Sequence, residues 1–406
     1  MTGELHPIPF HRPSLGLAER EAVIEVLDSG WLTTGSRTAA FESAFATYVG
    51  AEHAIAVNSA TAALHLALEG LGVERDDEVI VPTYTFAASA ETVLYLGARP
   101  VLVDVDPLTA NIDPAAVSAA IGPRTRAVEV VHIGGLPADL LGVLAAAGDL
   151  PIIEDVAHAF PSPVAALGGR LAGTVGRASA FSFYATKTIT TGEGGMLVTD
   201  DTALADRART MRLHGIGRDA WKRYTTAGSW YYEIEAAGFK DNLTDLAAAI
   251  GLVQLARAAE LRAARAAIAA RYREGFADLA YDGRLILPAM GTGDEHAWHL
   301  FVVRLGDRAG TEIDRELPGV AGLPATLGAL ASRRARVIDR LRQAGIGTSV
   351  HFIPLHLHPL YARMGYRPGQ FPIAEAAYAG AVSLPIWPGL TDTQIGHVIE
   401  AVRTAI

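Results

Sequence analysis

Of the 34 lysines and arginines in this chain, only Lys187, Lys222 and Lys240 are lysine. Arginine therefore serves wherever charge alone is needed, and a retained lysine is a candidate for what a guanidinium cannot do, such as forming an imine with an aldehyde once burial lowers its pKa. Lys187 ends the run Phe181-Ser182-Phe183-Tyr184-Ala185-Thr186-Lys187, which continues into Thr190-Thr191-Gly192-Glu193-Gly194-Gly195. The apolar start reads as a buried strand, Ser182 can donate to a phosphate, and the glycines let backbone approach closely. A second segment, Pro151-Ile152-Ile153-Glu154-Asp155, carries a carboxylate at the end of an apolar strand, the edge where open α/β sheets place ligands. Taken alone, Asp155 fits a solvent-facing turn as well as an acid beside a ring nitrogen. His158 can brace Asp155, lie over a ring, or be a satisfied core histidine. A third segment, Asn58-Ser59-Ala60-Thr61, puts small residues between a strand and a helix, where free N–H groups and the helix dipole favour an anion. A plain N-cap fits those residues too. Amine, acid and anion cup together are the parts that pyridoxal-5′-phosphate (PLP) requires.

The elements that must position these groups alternate. Apolar strands are predicted near 54–57, 78–81, 100–105, 127–132, 152–154, 180–183 and 196–198, with helices at 41–49, 61–71, 88–96 and 114–121 among them. That pattern is an α/β layer fold with a mostly parallel sheet. A single long helix is predicted over 244–276, capped by Thr244. Strands at 298–305 and 349–353 and helices at 332–344 and 391–404 predict a smaller α+β domain, with 306–330 as a surface loop. The expected division is 1–245, a linking helix 246–276, and 277–406.

Composition narrows the class. The net charge is −10 with no basic block, so nucleic acid is not expected as a partner. Cysteine is absent, which removes thiol nucleophiles, thiolate metal sites and the PLP enzymes that need a catalytic thiol. No apolar run suits a membrane span or a secretion signal, and a cytoplasmic protein is expected. His351, His356 and His358 suggest a metal cluster at first sight. No carboxylate or thiolate accompanies them and Pro354 interrupts them, so no metal is expected.

In this order the segments resemble the nucleotide-sugar aminotransferases, the DegT/StrS family of fold-type I PLP enzymes. The likeness includes Thr34-Gly35, Ser59 to Leu64, Asp77 to Pro82, Thr85-Phe86, Asp155, Phe181 to Lys187, His214-Gly215, Gly238 to Asp245 and Val350 to His358. It implies an α/β fold-type I transferase with a large, mostly parallel sheet domain and a smaller C-terminal α+β domain. It implies that Lys187 is the imine lysine and Asp155 the partner of the pyridine nitrogen. Ser59, Ala60, Thr61 and Ser182 would cradle the phosphate, and Phe86 would cover the ring. His158 stands where members often carry Gln. Lys240 and Asn242 would reach the cofactor of the neighbouring subunit in a homodimer with shared sites. Thr34, Tyr184, His214, His351 and His356 are the implied sugar contacts. The implied reaction moves the amino group of L-glutamate, through pyridoxamine phosphate (PMP), to C4 of a keto sugar carried on dTDP or UDP. A 3-keto substrate is the alternative, and that subgroup usually shows an Asn-Ser-Arg pattern absent here. Related dehydratases replace the lysine with histidine, so Lys187 argues against that reaction. Lys187 and Asp155 likewise argue against a non-catalytic PLP-binding regulator.

Overall fold

The computed structural model describes residues 7–217, 231–306 and 323–406. Lys222 and most of the expected 306–330 loop lie outside these residues. Helices α1 (Leu17–Ser29) and α2 (Ser36–Val49) precede a βα alternation: β1 (His53–Val57), α3 (Ala60–Gly70), β2 (Glu78–Pro82), α4 (Ala87–Tyr95), β3 (Arg99–Val103), α5 (Pro114–Ala120), β4 (Thr125–Val131), α6 (Leu140–Ala147) and β5 (Ile152–Asp155). A short hairpin, β6 (Pro163–Val164) and β7 (Arg170–Leu171), leads into β8 (Ala178–Ser182), β9 (Gly195–Thr199) and α7 (Thr202–Met211). The seven-stranded sheet runs β1-β9-β8-β5-β4-β2-β3, and only β9 opposes its neighbours. The expected large, mostly parallel α/β layer is therefore present.

Side chains alternate across each strand. One face carries Ala56, Val128, Val130, Phe181 and Met196 against α2, α5 and α6. Phe41, Phe45, Phe181 and Phe183 are wholly buried there, with Phe45–Phe181 centroids 5.0 Å apart. Burial of each such ring contributes about 1.5–3 kcal/mol. The opposite face carries Ile55, Val79, Ala127, Ile153 and Leu197 against α3, α4 and α7.

The predicted single helix over 244–276 is two: α8 (Asp245–Ala256) and α9 (Ala258–Gly275). Arg257 breaks it, at φ −101° and ψ 3°. Its guanidinium and the Gln254 amide both bond Glu19 Oε1, tying the break to the base of α1. Thr244 does cap the first helix, accepting from Ala247 N. After α10 (Ala277–Tyr281), strands β10 (Leu285–Ile286), β11 (Phe301–Leu305) and β12 (Ala381–Leu384) form an antiparallel sheet. That sheet packs with α9, α11 (Ala325–Gln343) and α14 (Asp392–Ala405) around Phe301, Val337 and Val398. The predicted strand at 349–353 is irregular apart from a bridge from Ser349 to Ser383. Pro354 has no N–H for a ladder, and His351 and Phe352 face a cavity instead. Helix α11 begins well before the predicted 332, so the end of the expected loop is helical. Helices α12 (Pro359–Arg363) and α13 (Pro372–Gly380) complete the chain.

Candidate active site

Three strand ends meet through register. Asp155 ends β5 and pairs with Ala180 of β8, two residues before Ser182. Ser182 in turn pairs with Gly195 of β9, and Gly195 pairs with Val57 of β1. Beyond Val57 the chain enters α3, so Ser182 and the α3 N-terminus flank Gly195. A Cβ on Gly195 would stand 2.5 Å from Ser59 C and 2.6 Å from Ala60 N, and only glycine permits this approach. Ser59 caps α3, accepting from Ala62 N at 3.1 Å, while the N–H groups of Ala60 and Thr61 have no acceptor within the helix.

These groups line one cavity of about 480 Å³, together with Phe86, His158, Tyr184, Lys187 and His351. Lys187 follows β8 in a turn closed by its own N–H to Tyr184 O at 2.9 Å. Burial pushes its amine down to about 8, with the Asp155 charge resisting and the Arg265 guanidinium adding to the fall. Asp155 is buried. Its Oδ1 accepts from Ala157 N at 3.0 Å, and its Oδ2 from Ser89 Oγ at 3.2 Å. Burial raises its carboxyl above the ordinary value, while Ala157 N–H, the Lys187 charge and Ser89 pull it back.

The other expected residues divide. Ser59, Ala60, Thr61, Phe86, His158, Ser182, Tyr184 and His351 join Lys187 and Asp155 around the cavity. His158 accepts from Gly134 N at 3.3 Å and stacks on Phe352 with centroids 5.7 Å apart. His356 stands apart, wholly buried, with Nδ1 bonded to Thr83 Oγ1 at 2.8 Å and Nε2 to Glu375 Oε1 at 2.9 Å. Both of its ring nitrogens are engaged inside the protein. Among the described residues no three metal-ligating side chains converge. His214 is exposed at φ +59°, and Thr34 is buried, donating to Leu243 O. Neither lines this chain's cavity. Lys240 and Asn242 do not line it either. Lys240 Nζ donates to Asn242 Oδ1, and Asn242 Nδ2 donates to Thr34 Oγ1 at 2.6 Å. Asn242 bridges to Val57, and Asn58 N donates to Asp241 O at 2.7 Å, so the pair sits beside the α3 N-terminus.

Sequence reasoning missed His11, His299 and Phe352, which also line the cavity. His11 Nε2 donates to Ala185 O at 2.8 Å, and the His299 ring lies 4.5 Å from that of His158. Burial, aided by Arg265 and Lys187, lowers His11 to about 4, and burial with Lys187 lowers His351 to about 4. Burial with Lys187 and His351 takes His158 well below the ordinary value, and burial first, then Lys187, does the same to His299. The histidines round the amine are thus neutral at physiological pH. His299 could have been suspected as a histidine inside the apolar strand predicted at 298–305; His11 left no signal.

The donor set fits PLP. A depressed amine suits its aldehyde, a buried carboxylate with spare lone pairs suits its ring nitrogen, and an open helix N-terminus beside a serine suits its phosphate. The comparisons agree. The sequence profile described as the DegT/DnrJ/EryC1/StrS aminotransferase family matches residues 13–318 and 320–403. The spore coat polysaccharide biosynthesis protein SpsC of Bacillus subtilis is 44% identical over 405 residues, covering 99% of this chain and 97% of that protein. Spr1654 of Streptococcus pneumoniae, assigned as a sugar aminotransferase, is 30% identical over 98% of each chain. Its TM-score is 0.86 in the PMP form and 0.85 in the PLP form. Helicobacter pylori PseC, an aminotransferase involved in the biosynthesis of pseudoaminic acid, is 27% identical with a TM-score of 0.85, over 98% of this chain and 99% of that one. With the family profile spanning nearly the whole chain and PLP-bound relatives sharing its fold, this chain belongs to the DegT/DnrJ/EryC1/StrS aminotransferase family and is a PLP-dependent sugar aminotransferase.

Proposed function

We propose that the chain carries the amino group of L-glutamate to C4 of a keto sugar borne on a nucleotide diphosphate, dTDP or UDP, giving a 4-amino sugar and 2-oxoglutarate. The observation that carries this reading is the shared cavity of Lys187 and Asp155, in which each acts on the charge of the other. The likeness of Gly238 to Leu255 and Val350 to Tyr361 to 4-keto enzymes supports C4, and the relatives named for polysaccharide and pseudoaminic acid biosynthesis support a sugar acceptor.

PLP, when bound, supplies an aldehyde carbon that accepts an amine and a protonated ring that draws electrons from it. Asp155 keeps the ring nitrogen protonated, oriented by Ala157 N–H and Ser89 Oγ. Ser59, the N–H groups of Ala60 and Thr61, and Ser182 Oγ hold the phosphate. Phe86 would cover the cofactor ring, and His158, in contact with His299 and Phe352, would close the wall. Lys187 holds the cofactor through Nζ. Its unprotonated Nζ would be the base that carries the Cα proton of the amino donor. With a pKa of about 8, a useful share of Nζ is unprotonated near neutral pH. Tyr184 and His351 meet the sugar from this chain, and the nucleotide diphosphate is a remote handle. Two chains pair, and Lys240 and Asn242 of each serve the other's phosphate cup, with Thr34 and His214 on the same side. Residues 1–245 and 277–406 act as the large and small domains about the α8–α9 link.

The test is incubation with PLP, glutamate and a panel of nucleotide-linked 3- and 4-keto sugars, read by mass spectrometry and NMR. Amine at C4 is expected. Amine at C3, or on no sugar of the panel, overturns the substrate assignment.

A further inference from the structure

Glu129 on β4 is wholly buried, and neither carboxyl oxygen has a hydrogen-bond partner among the described residues. A carboxylate in that place would lose its hydration and, among the described residues, find in return no donor but the Ser89 hydroxyl that Asp155 already holds. Alternation along β4 puts residue 129 on the face of 127 and 131, toward α3 and α4. Ile153 lies opposite it in register, so Asp155 is the next side chain on that face of the adjacent strand. Between the two strands stands Ser89 of α4. Its hydroxyl donates to Asp155 Oδ2 at 3.2 Å, meets Thr85 Oγ1 at 2.9 Å, and is within reach of the Glu129 carboxyl. From α12 the Tyr361 hydroxyl, buried and without a partner among the described residues, feels Glu129 as well. Burial first, and then the Asp155 charge, hold the Glu129 carboxyl well above its ordinary range, with Ser89 opposing.

We propose that Glu129 is a positioning residue that acts on Asp155 through Ser89 as a neutral carboxylic acid. A serine hydroxyl has one proton and two lone pairs. With Glu129 and Thr85 donating to Ser89 Oγ, the serine proton is directed to Asp155 Oδ2. Asp155 is then the only negative charge of the group and keeps a single orientation. A carboxylate at 129 would instead compete with Asp155 for the same proton. The inference rests on the reading of Asp155 as the partner of the ring nitrogen.

Infrared difference spectra of the full-length protein at pH 7.5, wild type minus Glu129→Gln, with and without cofactor, read the protonation state directly. A lost C=O stretch of a protonated carboxyl is expected. A lost pair of carboxylate bands overturns the proposal. The second readout is the amino-donor half-reaction, followed by cofactor absorbance across pH. Glu129→Gln keeps a neutral donor and should stay within about twofold of wild type with its pH profile unmoved. Glu129→Leu should slow the half-reaction about tenfold, the worth of roughly one hydrogen bond, without lowering the melting temperature, because it also removes a buried polar group. A Leu variant with wild-type rate and profile overturns the coupling, as does a Gln variant as slow as Leu. The infrared result does not depend on the role of Asp155. A harmless Asp155→Asn would therefore refute that role and leave the protonation of Glu129 separately decided.

Discussion

Glu154 and Asp155 are neighbours on one strand and meet opposite fates. Glu154 faces the α2 side of the sheet and is wholly buried. Its Oε1 accepts from Val175 N at 2.8 Å and Gly176 N at 2.6 Å, and its Oε2 from Gly173 N at 2.8 Å and His132 Nε2 at 3.1 Å. Burial would raise its carboxyl, but His132 and the N–H groups of Gly176 and Gly173 outweigh it, and the net shift is downward. Asp155 faces the cavity with two donors among the described residues, and its net shift is upward. Four donors around one carboxylate complete a structural knot that has no lone pair to offer. Two donors fix an orientation and leave the rest for a ligand. The strand supplies the same burial to both residues, so the difference lies in what the following loops bring to each face.

The largest effect expected on the open side is at Lys187. Lys187→Ala should lower turnover by at least about 10⁴-fold, since the proposed attachment point and proton carrier are both gone. Borohydride reduction of the holoenzyme should fix pyridoxyl mass on the peptide that holds Lys187. Mass on Lys222 or Lys240 would instead move the reactive centre away from Asp155. Next comes Asp155→Asn, expected to slow the half-reaction with the amino donor about 10²–10³-fold while the fold survives. Without cofactor, Asp155→Asn should be no less stable than wild type. A carboxyl with a raised folded-state pKa costs stability as pH rises above its ordinary 3.8, and the amide escapes that cost.

On the closed side the signs reverse. Glu154→Gln should destabilise the protein by about 3 kcal/mol near neutral pH, because a buried pair loses one partner and backbone N–H groups lose their acceptor. Glu154 has a depressed folded-state pKa. Its stabilisation is therefore full above the ordinary 4.5 and fades as pH falls through the folded value, so the gap between wild type and variant should narrow in acid. Denaturation across pH, with activity scaled to folded protein, checks this. A Glu154→Gln enzyme that stays stable yet loses turnover would erase the contrast between the two faces.

Much of the open side was legible in the sequence because chemistry concentrates rare residue types. Lysine scarcity singled out Lys187, whereas the carboxylate ending an apolar strand left Asp155 open between a turn and a ligand until the family resemblance assigned it. The sheet followed from short apolar runs of strand length. What stayed hidden depends on register and distance. That Gly195 lets Ser182 stand beside Ser59 follows from pairing across three strands, and no local pattern encodes it. Glu129 reads as one more residue of an apolar strand, and its proximity to Asp155 exists only once β4 and β5 align. The break at Arg257 was invisible because alanine, leucine and arginine all favour helix, whereas the bonds to Glu19 that hold the break come from a residue far back in the chain.

The smallest effect tests whether the open side is completed by a second chain. Lys240 bonds Asn242 and Asn242 bonds Thr34, yet the pair sits beside the α3 N-terminus without lining this chain's cavity. A cationic amine and an amide placed there suit a phosphate, but one approaching from beyond the chain's own pocket. In a homodimer with shared sites, Lys187→Ala chains and chains with both Lys240→Ala and Asn242→Ala are each nearly inactive alone. After random exchange half of the dimers are mixed, and each mixed dimer has one site with both lesions and one with neither. About a quarter of wild-type activity should therefore return. No recovery, with exchange proved by differently tagged chains, would mean that each site is built from one chain. Lys240 would then be an outer brace, closer in kind to the knot at Glu154 than to the chemistry at Asp155.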